Sequence, residues 1–156
     1  SAIVSSPTAP LPLASSYSRL KVIDLTTGRP LRVQLAEQAA RIRKQEKKML
    51  VTTMAPGDEA SLEVARALTD VELQNALAST TVIVRIDAQV FADELGPLGL
   101  TRPNLPWFFL LGPSLTPIDA ISADEWDDNT PANVSPVLKR FVAGTLAPRR
   151  ALSRDR

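Results

Sequence analysis

The sequence predicts an α/β fold, a mixed central sheet flanked by helices, and three observations predict it. Residues 48–55, 80–87 and 107–111 form short apolar runs bounded by turn residues, the pattern of buried strands. Segments with apolar residues at three- and four-residue steps lie between and around them, the pattern of helices that bury one face. The strand signal at 107–111 and a weaker one around 118–121 are joined only by a short turn around Gly112-Pro113, a hairpin-like pair that makes the sheet mixed.

Taken in order, residues 1–18 (SAIVSSPTAPLPLASSYS) are rich in Ser, Pro and Ala without periodicity and read as an extended N-terminal arm, or as a terminus with no role. Residues 19–25 alternate apolar and polar as a short strand, ended by the turn signal TGRP at 27–30. Residues 31–47 are strong helix formers, with Leu31, Leu35, Gln38 or Ala39 and Ile42 on one stripe. The second half of that helix, RIRKQEKK at 41–48, is basic and reads either as a solvated face suited to a helix C-terminus or as a site for an acidic partner. Residues 48–55 (KMLVTTMA) are a buried strand, and Pro56-Gly57 turns it into a helix over 58–78 capped by Asp58. The apolar phase slips near Thr69-Asp70, so that helix kinks there or divides in two.

Residues 80–87 (TTVIVRID) are the clearest strand signal and are expected at the centre of the sheet. A short helix or turn over 87–95, a loop over 96–104, the strand 107–111 and a weak strand around 118–121 follow. A closing helix over 133–146 directs Val137, Leu138, Phe141 and Val142 inward, and 147–156 (APRRALSRDR) is a basic tail. The folded domain is thus expected over 19–146.

Composition narrows the chemistry. With no cysteine and no histidine in 156 residues, the chain supplies no thiolate for disulfide exchange, no Cys/His zinc site and no Ser-His-Asp arrangement. Eighteen Lys and Arg against seventeen Asp and Glu leave a net charge of +1, so no global field draws nucleic acid. No apolar run approaches the roughly 18–20 residues that span a bilayer, which predicts a soluble chain without a transmembrane segment. Ser1 in place of methionine fits either a trimmed chain or removal of a leader, leaving export (periplasmic or lipid-anchored) and import into an organelle open.

At 104-NLPWFFLLG-112 a proline opens an apolar strand, and at 50-LVTTMAPGDEAS-61 a buried strand turns into a helix N-terminus. With the element order, these two patterns make residues 19–146 resemble the thioredoxin-like superfamily, whose fold is a three-layer sandwich with a mixed central sheet. The resemblance implies that Pro106 is the cis-proline beside the active-site turn, a role suited to an X-Pro bond at a strand's first residue. It also implies that the two positions of the superfamily's Cys-x-x-Cys fall on Asp58 and Ser61. Neither is a thiol, so the resemblance carries the fold without the redox chemistry.

The function so implied is a redox-inactive, protein-binding or structural accessory subunit of a larger assembly. Its groove would be formed by Met54, Pro56, Gly57, Asp58, Ser61, Leu105, Pro106 and Trp107, holding extended polypeptide by strand addition. The arm and the tail would reach neighbouring protein subunits. Trp126, in the acidic loop DEWDDNTP at 124–131, reads either as an exposed interface anchor or as core beneath the last helix. That loop lacks the glycine and terminal glutamate of a calcium loop, so no metal is expected, nor any cofactor. The rivals are an enzyme or carrier in which Asp58 or Ser61 binds a glutathione-like, other small or peptide ligand at this groove, and a holder of unfolded chains with a broad apolar patch near Trp107 and Phe108.

Overall fold

The computed structural model describes residues 9–147 together with Arg149 and Arg150; residues 1–8, 148 and 151–156 of the expected arm and tail lie outside the described residues. Strands β1 (Val22–Asp24), β2 (Lys48–Met54), β3 (Thr81–Asp87), β4 (Trp107–Leu111) and β5 (Pro117–Ser122) form one sheet in the order β1-β3-β2-β4-β5. β1, β3 and β2 run parallel, while β4 is antiparallel to β2 and β5 to β4. The centre is therefore β2 rather than β3, because β2 carries β3 on one side and the β4–β5 hairpin on the other. β3 is interior, flanked by β1.

Alternation along the strands divides the core. Leu50, Met54, Ile83, Phe108 and Ile121 bury into the side covered by α2 (Glu59–Ala67), α3 (Val71–Ala78) and α5 (Pro131–Ala143). Val51, Val82, Val84, Ile86 and Phe109 bury into the side covered by α1 (Leu31–Lys44) and α4 (Ala92–Leu95). The helix expected over 58–78 is two helices. Asp70 leaves helical geometry (φ −63°, ψ 132°) and its carboxylate accepts from the Leu73 N–H at 2.9 Å, which starts α3. α5 begins two residues earlier than its apolar pattern suggests because Thr130 caps it and Pro131 takes its first position, where no N–H is needed. Gly144, at φ +76°, closes it.

Three buried polar side chains organise what the apolar pattern leaves unspecified. Gln34, rather than Gln38, joins the inner face of α1; its amide accepts from the Thr26 N–H and donates to the Thr26 and Arg29 carbonyls, closing the β1–α1 turn. Gln74 accepts from the Arg19 and Leu20 N–H groups at 2.8 and 3.0 Å and donates to the Thr69 carbonyl. Arg85, in mid-β3, is only 6% exposed. Its guanidinium donates to both Asp24 carboxylate oxygens (2.6 and 2.9 Å), the Tyr17 hydroxyl (3.1 Å) and the Pro12 carbonyl (2.7 Å). Tyr17 is buried and donates to the Ala65 carbonyl on α2 at 3.0 Å. The described stretch of the arm is thereby drawn onto its own domain, with a short 3-10 turn at Ala14–Ser16, instead of extending from it. Among the described residues, no helix is long and apolar enough to cross a membrane.

Candidate functional site

The site is built where β2 ends and α2 begins. Ala55 is buried, Pro56-Gly57 turn the chain, and Asp58 takes the cap position at φ −98°, ψ 121°. Its Oδ2 accepts from both the Ser61 N–H and the Ser61 hydroxyl at 2.8 Å. Ser61 Oγ in turn accepts from the Ala55 N–H at 3.2 Å. The single hydroxyl proton is committed to the carboxylate and the oxygen to the turn. Ser61 is fully buried, so it presents no surface to a substrate. The pair closes the strand-to-helix turn, and the acid sits where the partial positive charge of α2 favours it.

Across from this turn the chain enters β4 through a cis peptide bond, Leu105-Pro106, preceded by Asn104 in the left-handed region (φ +61°). Pro106 is buried, and Leu105 is half-buried. No hydrogen bond within the described chain engages the main-chain N–H or C=O of Leu105, which lies just outside the β4 ladder. Beside it opens a hollow of about 440 Å³ lined by Ala60 of α2, Asn104 and Leu105, and by Asp124, Trp126 and Arg150 from the opposite wall.

The opposite wall is the part that sequence reasoning missed. Ala123–Glu125 form a 3-10 turn after β5, with Ser122 Oγ accepting from the Asp124 N–H. Trp126, 4% exposed, belongs to the core rather than to an exposed anchor. Its ring meets Phe108 edge-on at 6.2 Å, and its indole N–H donates to Asn129, which donates to Glu63 on α2. The described part of the basic tail folds back here. The Arg150 N–H and guanidinium donate to Glu125 and Asp127, and Arg149 donates to Asp119 at 2.6 Å over the face of Phe141. The opposed signs of DEWDD at 124–128 and RR at 149–150 were the available signal for this closure.

Of the residues singled out from sequence, Asp58 and Ser61 close the turn, Leu105 lines the hollow, and Pro106 is buried behind it. Met54 and Pro56 line a different hollow of about 270 Å³, shared with Pro10, Leu11, Leu13 and Arg85, so the described arm occupies that side. Gly57 is exposed at the turn between the two. Trp107 faces away, because β4 alternates. Phe108 points to the α2 side, and Trp107 packs with Phe109 on the other (centroids 6.3 Å apart), beneath the Arg102 guanidinium. With Phe108 fully buried, no broad apolar patch forms from the two rings. Among the described residues, no group of three or more acidic side chains is placed to hold a metal ion.

No protein-family model matches the sequence, and no curated protein matches it. Solved structures do. A poplar wild-type thioredoxin h is 19% identical, with 81% of this chain covering 97% of that one at a TM-score of 0.54. A mutant thioredoxin from Halobacterium salinarum is 12% identical, with 81% covering 94% at a TM-score of 0.51. The sheet order, the cis-proline facing the α2 turn and this likeness agree: the chain has the thioredoxin-like fold, in a divergent form without the Cys-x-x-Cys thiols.

Proposed function

We propose that this chain is a redox-inactive binding domain, an accessory subunit of a larger protein assembly, and that it holds an extended segment of a partner in the hollow beside Leu105-Pro106. The main-chain N–H and C=O of Leu105, which find no hydrogen-bond partner among the described residues and lie next to a hollow of about 440 Å³, carry the reading. An extended peptide laid along them would gain two main-chain hydrogen bonds by strand addition, which needs no thiol. Ala60 gives a side chain of that peptide room against α2, and Asn104, Asp124 and Arg150 offer polar partners. Thiol–disulfide chemistry is out of reach of a chain without cysteine, and the Asp58–Ser61 pair is already used to close its turn.

The test is gentle purification of the protein from its native source, with sizing and mass spectrometry, repeated with a photo-reactive residue at Asn104 and, as a control, at Glu72 on the exposed surface of α3. A stoichiometric companion cross-linked from position 104 alone supports the proposal, and Ala60→Trp, which fills the hollow, should release it. A clean monomer with no cross-link would refute it. The hollow's volume lies within the range of small-molecule sites, so that outcome would turn attention to a small ligand at the same place.

A further inference from the structure

A second feature lies at the other end of β2. Six residue steps of about 3.3 Å separate Lys48 from Met54, so it sits ~20 Å from the end of β2 that leads into the α2 turn. There the C-terminal turn of α1 and the β4–β5 hairpin bound an open cleft of about 370 Å³. Ile42, Met49, Leu111 and Ile118 give it apolar walls, with Arg43 and Lys47 among them and no acidic residue. Ile118 is 73% exposed, the most exposed large apolar side chain on a strand. It crosses tightly over Gly112, where a Cβ would stand 2.9 Å from its methyl.

Residues 41–48 carry five cations and one acid. None of the salt bridges among the described residues involves Arg41, Arg43, Lys44, Lys47 or Lys48, although Arg29, Arg85, Arg149 and Arg150 are all paired. The dipole of α1 accounts for cations in its last turn, but Lys47 and Lys48 lie beyond its end at Lys44. Among the described residues, only Lys48 of these five has a side-chain hydrogen bond, donating to the Val142 carbonyl at 2.7 Å. The solvated-face reading thus leaves the apolar cleft and Lys47 unexplained.

We infer that this cleft docks a segment of a partner protein in which an apolar side chain is flanked by carboxylates. The apolar side chain fills the cleft against Ile42, Met49 and Ile118, and the carboxylates meet Arg43 and Lys47. Charge complementarity selects an acidic segment, and the concave shape argues against a bilayer, which would need apolar side chains standing out from a surface. No aromatic side chain lines the cleft to stack a nucleic-acid base. The site is independent of the Leu105 hollow.

The test is fluorescence-anisotropy binding of the full chain to a labelled peptide, acidic at both ends with leucine and phenylalanine between, alongside NMR shift mapping of the same peptide. Saturable binding that shifts the amides of Met49, Gly112 and Ile118, and leaves those of Asn104 and Leu105 unmoved, is expected. Arg43→Glu with Lys47→Glu should weaken it about tenfold or more, and so should Ile118→Ser; both are surface changes, with folding verified by circular dichroism. A peptide with serines in place of the apolar pair must bind at least about tenfold more weakly. Equal binding of that peptide, indifference to either variant, shifts at Leu105 instead, or no binding would each overturn the proposal. So would binding of laurate or of phosphatidylserine vesicles in the peptide's stead, since either would assign the cleft to lipid.

Discussion

Arg85 is a charge held inside the fold by a partner that is not inside, and this asymmetry gives the sharpest prediction about stability. The guanidinium is 6% exposed while the Asp24 side chain is 47% exposed. Burial opposes the charge on Arg85, but the Asp24 carboxylate, with a smaller contribution from Tyr17, offsets it, so its pKa lies above the usual arginine value and the cation persists. Asp24→Asn leaves that cation buried among neutral acceptors only: the new side-chain amide oxygen, the Tyr17 hydroxyl and the Pro12 carbonyl. Removing one partner of a fully buried pair costs about 3–5 kcal/mol; the half-exposed position of Asp24 lets water replace part of the loss, which brings the expected cost to about 2 kcal/mol. For a chain of this length that lowers Tm by about 6 °C. Arg85→Met removes the charge and its desolvation together. Tyr17 keeps its bond to Ala65, and Asp24 is free to hydrate, so this change should cost less, about 1 kcal/mol. Thermal unfolding followed by far-ultraviolet circular dichroism reads both. The reasoning is refuted if Asp24→Asn melts with the wild type, or if Arg85→Met melts below Asp24→Asn.

Three further outcomes follow from particular atoms. Tyr17 is the only tyrosine, and burial pushes its phenol above the ordinary value of 10.0, with Arg85 opposing. The unfolded chain then loses that proton first, so the stability it contributes is intact below pH 10 and falls as pH rises toward the folded value. Phenolate absorbance should show a higher midpoint in the folded protein than in urea, and Tyr17→Phe should remove the alkaline loss; coincident midpoints would contradict this. Thr53 is fully buried with a hydroxyl that has no hydrogen-bond partner among the described residues, so the isosteric Thr53→Val should stabilise by about 1 kcal/mol and raise the urea midpoint, whereas an unchanged or lower midpoint would show that the hydroxyl is satisfied. Asp58→Ala removes the carboxylate that accepts from Ser61 twice and should cost about 1–2 kcal/mol by chemical denaturation, while a cost near zero would show that Ser61 holds the turn alone.

What the sequence revealed, and what it concealed, follows the range of the forces involved. The break between α2 and α3 was legible because a cap is local, with Asp70 and Leu73 three residues apart. The strand Trp107–Leu111 was legible to the residue because a continuous apolar run between Pro106 and Gly112 has no other way to be buried. Arg85 looked like one polar interruption in an apolar strand, since its partners Asp24, Tyr17 and Pro12 lie 61, 68 and 73 residues away. The glutamines at 34 and 74 were hidden for a related reason: an amide that substitutes for main-chain partners leaves no apolar or charge signature.

The candidate site divides along the same line. Asp58, Ser61 and Leu105-Pro106 are legible because each sits in a local pattern, a strand turning into a helix and a proline opening a strand. Adjacency to Pro106 groups Trp107 with them, yet in a strand the next residue points to the opposite face, and the ring that backs the hollow belongs to Trp126 against Phe108. The wall carrying Trp126 is fastened by Asn129 to Glu63 and by Arg150 to Glu125 and Asp127, contacts spanning 66, 25 and 23 residues. A tail that looked free to reach a neighbour is, as far as it is described, a clasp on this wall. Any partner that does enter the hollow must therefore meet a surface whose shape depends on Arg150, and replacing Arg150 should alter that surface without touching Leu105.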